Sequence, residues 1–359
     1  MAGRSELFAG TMPVPPEKAF DVERLAAWLA GRIDGLKPPL KVRQFRGGQS
    51  NPTYLLIDAA GRRLVLRRKP PGPLLPSAHQ VEREYRVISA LHRDGRVPVA
   101  RPHLLCEDES VIGSVFYVMD HVEGRIFWDA HVPGVSRAER GAIFDAMNRT
   151  IAALHGIDPV AVGLGDFGKP GNYFARQISR WSRQYLADEE AGRIPAMDRL
   201  VAWLPEHVPE GDETAIVHGD FRIDNMIFAA DRPEVVAVLD WELSTLGHPL
   251  ADFAYHLMMY RMPANLFAGL AGLDLEGLGI PSEEEYLARY CARVGRPPVT
   301  RDVLDFAIAY NMFRLAAILH GIKGRVVRGT AANPRAAEMA KLTEPLAELA
   351  WAQVERLAG

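Results

Sequence analysis

Apolar residues Phe20, Leu25, Trp28, Leu29 and Ile33 recur at near-helical spacing, and Gly35, Pro38 and Pro39 end the run. This predicts a helix over residues 18–33. The pattern then shortens to runs at 40–45, 53–58 and 63–69, separated by Gly47-Gly48-Gln49-Ser50-Asn51-Pro52 and by Asp58-Ala59-Ala60-Gly61, which reads as an antiparallel meander. A charged-faced helix over 80–93 and a buried strand over 111–119 complete a small lobe, closed by Glu123-Gly124. Beyond Arg137 the period is helical around 143–154, 174–186, 286–294 and 303–319. The exception is 215–239, where the short runs Ile216-Val217, Met226-Ile227-Phe228 and 235–239 predict strands presenting loops.

The chain has 359 residues, enough for about two domains, and its 48% hydrophobic and 24% charged residues are an ordinary globular mix. We expect an N-terminal helical extension at 1–39, a small lobe at 40–120 and a mainly helical lobe at 121–359. Lys and Arg number 42 against 45 acidic residues, a net charge of −3, so no global basic field gathers nucleic acid or anionic lipid. Any anion site must be local. The two cysteines, Cys106 and Cys291, lack metal or disulfide spacing, and the apolar stretch 306–322 is interrupted by Asn311, Arg314 and His320. Together with an N-terminus unlike a signal peptide, this leads us to expect a soluble cytoplasmic protein without nucleic-acid or membrane partners.

The sharpest chemical pattern is His218-Gly219-Asp220-Phe221-Arg222-Ile223-Asp224-Asn225, an Asp and an Asn five positions apart in a loop between predicted strands. In phosphoryl transfer an Asp orients and accepts the proton of the attacking hydroxyl, while an Asn oxygen ligates magnesium. Further on, Val238-Leu239-Asp240-Trp241-Glu242 sets a second carboxylate at the end of an apolar strand, where a metal-binding Asp is rigidly held.

This H-x-D-x-x-x-x-N pattern with a strand-terminal Asp resembles the signature shared by protein kinases and aminoglycoside phosphotransferases, and its His-Gly-Asp form resembles the latter. Upstream, Leu64-Val65-Leu66-Arg67 resembles the kinase lysine strand and Val81-Glu82-Arg83-Glu84 the helix whose Glu pairs with it. The resemblance spans about 40–320 and implies a bilobal protein-kinase-like α+β fold, an antiparallel N-lobe sheet with one helix and a larger helical C-lobe. It implies ATP and Mg²⁺, with Asp220 as base, Asn225 and Asp240 on the metal, Glu84 orienting Arg67, and Asp252 as a structural carboxylate. Adenine is expected against Val118 or Met119. The loop carrying Gly47, Gly48 and Ser50 resembles a shortened phosphate-covering loop, and Arg222 is expected to stabilise charge on the transferred phosphate.

Arg67 stands where the family has Lys, and Lys69, on the same strand face, is the alternative phosphate contact. The segments 47–54, 66–72 and 75–79 resemble the branch of kinase-like domains associated with acyl-CoA dehydrogenases. For it, the implied acceptor is a hydroxyacyl-CoA, phosphorylated at a side-chain hydroxyl such as the 4-position. His320, Lys323, Arg325, Arg328 and Arg335 offer a basic stretch for its phosphates. The alternatives are an aminoglycoside-type kinase, for which Glu283-Glu284-Glu285 is the one visible acidic cluster, and a nucleotide-binding pseudokinase, suggested by Arg67. His218 and His155 are expected to hold structure by hydrogen bonds, Trp181, Tyr185 and Trp203 to be core, and Glu82 to be a surface partner. The last helix, about 334–357, is expected on its own lobe.

Overall fold

In the computed structural model, which describes residues 9–46, 51–70, 79–331 and 335–357, the chain divides into two compact units. The first comprises Met1–Asp129, Val160–Leu164 and Arg222–Ser244; the second Ala130–Pro159, Gly165–Phe221 and Thr245–Gly359.

The first unit is built on an antiparallel sheet of order β1-β2-β3-β4-β6-β5, from β1 (Thr11–Met12), β2 (Lys41–Phe45), β3 (Thr53–Ile57), β4 (Arg63–Arg68), β5 (Pro102–Cys106) and β6 (Phe116–Asp120). The β3–β4 turn is set by Asp58, whose carboxylate accepts from the Ala60 and Arg62 amides at 2.8 and 2.9 Å, with Gly61 at φ +84°. Side chains alternate across the sheet. Tyr54, Leu56, Leu64, Leu66, Phe116 and Val118 face one core, joined there by Leu25, Leu29 and Ile33 from helix α1 (Val22–Leu29) and the turn after it. The expected N-terminal extension is therefore part of the sheet's core: Leu25 and Leu29 are fully buried, and truncating either to Ala removes about 2–5 kcal/mol. Val65, Arg67, Tyr117 and Met119 take the opposite face, which receives helix α2 (Val81–Asp94).

A second departure from the sequence division concerns 222–244. The hairpin of β8 (Met226–Phe228) and β9 (Val235–Val238) belongs by its contacts to the sheet unit. Arg125 and Phe228 exchange backbone hydrogen bonds at 2.7 and 2.8 Å, and the Val238 amide donates to the Pro98 carbonyl at 2.9 Å. Gly124 permits this approach, since a Cβ there would lie 2.2 Å from the Phe228 carbonyl oxygen.

The second unit is mainly helical: α3 (Arg137–His155), α4 (Tyr173–Ala187), α5 (Pro195–Trp203), α6 (Pro249–Leu257), α7 (Leu275–Leu278), α8 (Glu283–Val294), α9 (Arg301–Val327), α10 (Ala336–Ala340) and α11 (Thr343–Glu355). Its two short strands, β7 (Ala215–Val217) and β10 (Thr245–Gly247), pair antiparallel. α9 is the central helix, flanked by α4, α6 and α11. It is the one described helix long and apolar enough to cross a membrane, and 83% of its most apolar window is buried inside the protein. α11 buries Leu346, Ala347, Ala350 and Val354, so the C-terminal helix lies on its own unit.

Candidate active site

Arg67 points from β4 into a buried polar cluster. Its Nε lies 2.7 Å from Glu84 Oε2, and its Nη2 lies 2.7 Å from Asp240 Oδ1 and 3.6 Å from Glu242. Glu84 also accepts from Asn51 Nδ2 at 2.6 Å and from the Tyr117 hydroxyl at 3.1 Å. Burial pushes the Glu84 carboxyl up, against the pull of Arg67, and burial together with Glu84 drives the Tyr117 phenol well above its ordinary value. Burial opposes the Arg67 charge, but Glu84 and Asp240 outweigh it and the guanidinium is held protonated.

Asp240 follows β9 in the left-handed region, φ +63° and ψ +62°, a costly backbone for a residue with a side chain. The hydrogen bond from the Leu239 amide to the Asn225 carbonyl, 2.8 Å, ties this position to Asn225 at the foot of β8. A cavity of about 730 Å³ within the first unit is lined by Val65, Arg67, Met119, Arg222, Asp224, Asn225 and Asp240, among others. Arg222 lies 3.5 Å from Asp224. Of the expected adenine contacts, Met119 reaches this cavity. The Val118 side chain does not: it is fully buried in the opposite core, because alternation on β6 sends 117 and 119 one way and 116 and 118 the other. Lys69 lies beyond the end of β4 and pairs with Glu82, leaving Arg67 as the partner of Glu84. Gly47, Gly48 and Ser50 lie outside the described residues.

Asp220 belongs to the second unit, in the loop after β7. The Asp252 carboxylate, at the start of α6, accepts from the His218 and Gly219 amides at 2.7 and 2.8 Å, and His155 Nε2 lies 3.2 Å from it. Burial pushes the Asp252 carboxyl up, but the bond to His155 and those from the loop outweigh it and hold it below the usual range. His155 also bonds the Tyr290 hydroxyl at 2.7 Å, and His218 Nδ1 accepts from the Asp220 amide at 3.2 Å, so both histidines hold structure. The Tyr255 hydroxyl donates to Asp220 Oδ1 at 2.5 Å. Arg314 donates to the Gly219 carbonyl at 2.9 Å and lies over the Tyr255 ring at 5.3 Å.

The structure thus groups Arg67, Glu84, Met119, Arg222, Asn225 and Asp240 in the first unit, with Asp220 and Asp252 in the second. Sequence reasoning missed the bonds that Asn51 and Tyr117 make to Glu84, and it missed Tyr255 and Arg314 as partners of the Asp220 loop. Two had usable signals: Tyr255 lies three residues after Asp252 on one helix, and Arg314 is a lone cation in the apolar run of α9.

Two members of the basic stretch after 319 are engaged within the protein, while Lys323 is half-buried and Arg335 is exposed. His320 is buried against Tyr185 and the Gly192 carbonyl, Arg328 pairs with Asp188 at 2.6 Å, and Arg325 is exposed. Basic character gathers instead on α4, which has three arginines and no acidic residue. Arg176 donates to the Lys169 and Pro170 carbonyls, Arg180 lies on the Trp181 ring, and Arg183 donates to the Ser179 carbonyl.

A crystal structure from Ralstonia eutropha, classed with the aminoglycoside phosphotransferases, is 50% identical, with a TM-score of 0.85 over 94% of this chain and 99% of that one. An aminoglycoside phosphotransferase solved as a ternary complex with AMP-PNP and hygromycin B shares the fold at 15% identity, TM-score 0.57, over 92% of this chain and 98% of its own. These likenesses bear out the kinase-like α+β fold expected from the sequence. Acyl-CoA dehydrogenase family member 10 of Mus musculus is 46% identical over 344 residues, 95% of this chain but 32% of that protein. The chain spans less than half the length of the curated relatives it matches. The model of the phosphotransferase enzyme family matches residues 41–306, and the chain belongs to that family.

Proposed function

We propose that the chain transfers the γ-phosphate of ATP to a hydroxyl of a small acceptor, and that the acceptor is a hydroxyacyl-CoA. The observation that carries the transfer reading is the cavity in the first unit, where the Glu84-held Arg67 meets Asn225 and Asp240. Adenine lies against Val65 and Met119, and the phosphates meet Arg67 and Arg222. Asp220 aligns the acceptor hydroxyl and accepts its proton as the oxygen bonds to the γ-phosphorus and the bond to the β-phosphate oxygen breaks, releasing ADP.

The donor set fits magnesium. Asn225 and Asp240 offer hard oxygens, and the ion takes one or two protein carboxylates or carbonyls beside phosphates and water. Bound there, it offsets negative charge on the phosphate oxygens. Arg67 does not argue for a pseudokinase, because it forms the ion pair with Glu84 that the family's lysine is expected to form.

Three observations favour an anionic over a polycationic acceptor. The relatives' acyl-CoA dehydrogenase names point to CoA esters, and α4 presents arginines that match their phosphates. The acidic cluster an aminoglycoside would need is largely engaged: Glu283 pairs with Arg261 at 2.7 Å, and Glu285 closes a capping box with Ser282. The two cysteines are buried free thiols, in keeping with the reducing compartment that we propose for the protein.

The test is ADP release from Mg²⁺-ATP with 4- and 3-hydroxyacyl-CoAs, their free acids and kanamycin, using Asp220→Asn as the blank. Turnover with the CoA esters that is lost in the variant is expected. Turnover with kanamycin alone would replace the acceptor assignment, and wild-type rates in Asp220→Asn would overturn the transfer mechanism.

A further inference from the structure

We propose that Tyr255 is a positioning residue for Asp220, with Arg314 as its buried support. The proposal rests on the reading of Asp220 as the group that aligns the acceptor. All three side chains lie in the second unit, on its loop after β7, on α6 and on α9.

The Tyr255 hydroxyl donates to Asp220 Oδ1 at 2.5 Å, so the carboxylate is tethered at one oxygen and its rotation about Cβ–Cγ is restricted. The phenol is in turn held from beneath. The Arg314 guanidinium lies 5.3 Å from the centre of the Tyr255 ring while its Nη2 donates to the Gly219 carbonyl at 2.9 Å, so one buried cation fixes both the ring and the residue preceding Asp220. Arg314 is 7% exposed. Burial works against its charge, and Tyr310, Tyr173, Tyr255 and Asp220 around it more than compensate. Gly219, the residue before Asp220, is thereby held by Asp252 and Arg314, the Asp220 amide by His218 and its side chain by Tyr255. Alignment to within a fraction of an ångström is what a proton-accepting carboxylate needs, since a small misplacement of a reacting group costs a large part of the rate.

The experiment is steady-state ADP release from Mg²⁺-ATP, with a 4-hydroxyacyl-CoA and with water as acceptors, in wild type, Tyr255→Phe, Asp220→Asn and the double variant. Tyr255→Phe removes one oxygen and keeps the ring against Arg314. We expect kcat to fall by about 10- to 100-fold with KM for Mg²⁺-ATP within about 2-fold and the melting temperature unchanged. The double variant should turn over no more slowly than Asp220→Asn alone, because the proposal routes the effect of the hydroxyl on turnover through that carboxylate. A Tyr255→Phe enzyme with wild-type kcat, or a double variant slower than the residual turnover of Asp220→Asn, overturns the positioning role while Asp220→Asn itself stays strongly impaired. An Asp220→Asn enzyme with wild-type turnover overturns the parent reading instead.

Discussion

Arg67 and Glu84 form a 2.7 Å ion pair with side chains only 9% and 2% exposed, and the same guanidinium reaches Asp240 through its Nη2. One planar cation therefore links β4, α2 and the turn after β9, a geometry that a lysine ammonium cannot reproduce from one atom. Arg67→Ala strands a buried carboxylate and should lower stability by about 3–5 kcal/mol. Arg67→Lys should recover part of that stability while raising KM for ATP. Thermal melts of the two variants check the order, and a melting temperature for Arg67→Ala equal to wild type would contradict it.

Asn225 and Asp240 differ as test positions. Asp240→Asn also removes a charge from Arg67, so its effect mixes metal binding with the ion pair. Asn225→Ala is cleaner. It should move the magnesium dependence of ADP release about 10-fold or more towards higher concentration at saturating ATP, with little change in melting temperature. A magnesium titration superimposable on wild type would remove Asn225 from the metal.

The elements that the sequence revealed best were those with a clear period. The meander strands 41–45, 53–57 and 63–68 and the helix 81–94 lie within about a residue or two of their expected bounds, since alternation and turn residues are local signals. β1 and β5 were missed. β1 has two residues, and β5 starts at a proline with no buried residue before Cys106, so neither carries a readable period. The motif residues were legible because their spacing along the chain is fixed by the chemistry. Tyr255 and Arg314 were not, because they reach Asp220 from 35 and 94 positions away, a proximity set by helix packing. The misplacement of 222–244 has the same origin: strand composition does not say which sheet a hairpin joins, and here Arg125 and Pro98 decide it.

The arginines of α4 make the acceptor assignment testable by charge. Exposed Arg180 and Arg183 sit on a helix with no acidic side chain, so reversing both in Arg180→Glu/Arg183→Glu should leave the fold intact. If α4 receives CoA phosphates, KM for a hydroxyacyl-CoA should rise about 10-fold or more, and KM for the corresponding pantetheine ester, which lacks the nucleotide, should stay within about 2-fold. The wild-type preference should also weaken with salt. Equal shifts for both esters would assign the arginines to the solvated surface.

His256 gives the fold a pH dependence whose sign follows from its burial. It lies within α6, 2% exposed, with Nδ1 donating to the Phe221 carbonyl at 3.2 Å and Nε2 accepting from the Tyr286 hydroxyl at 2.8 Å. Burial outweighs these contacts and lowers its pKa to about 4. In the unfolded chain a histidine takes up its proton near pH 6.5. Above that value neither state is charged and the neutral ring contributes fully; as pH falls from 6.5 towards 4 only the unfolded chain binds the proton, and stability is lost progressively. The total is roughly 3 kcal/mol. The melting temperature should therefore fall between pH 7.5 and pH 5, and the loop next to Asp220 should loosen with it, since Phe221 is the carbonyl partner. His256→Asn keeps a donor for that carbonyl and should flatten the slope, while His248, also lowered by burial, leaves a residual one. A variant with the wild-type slope would show that another group sets the acid limb.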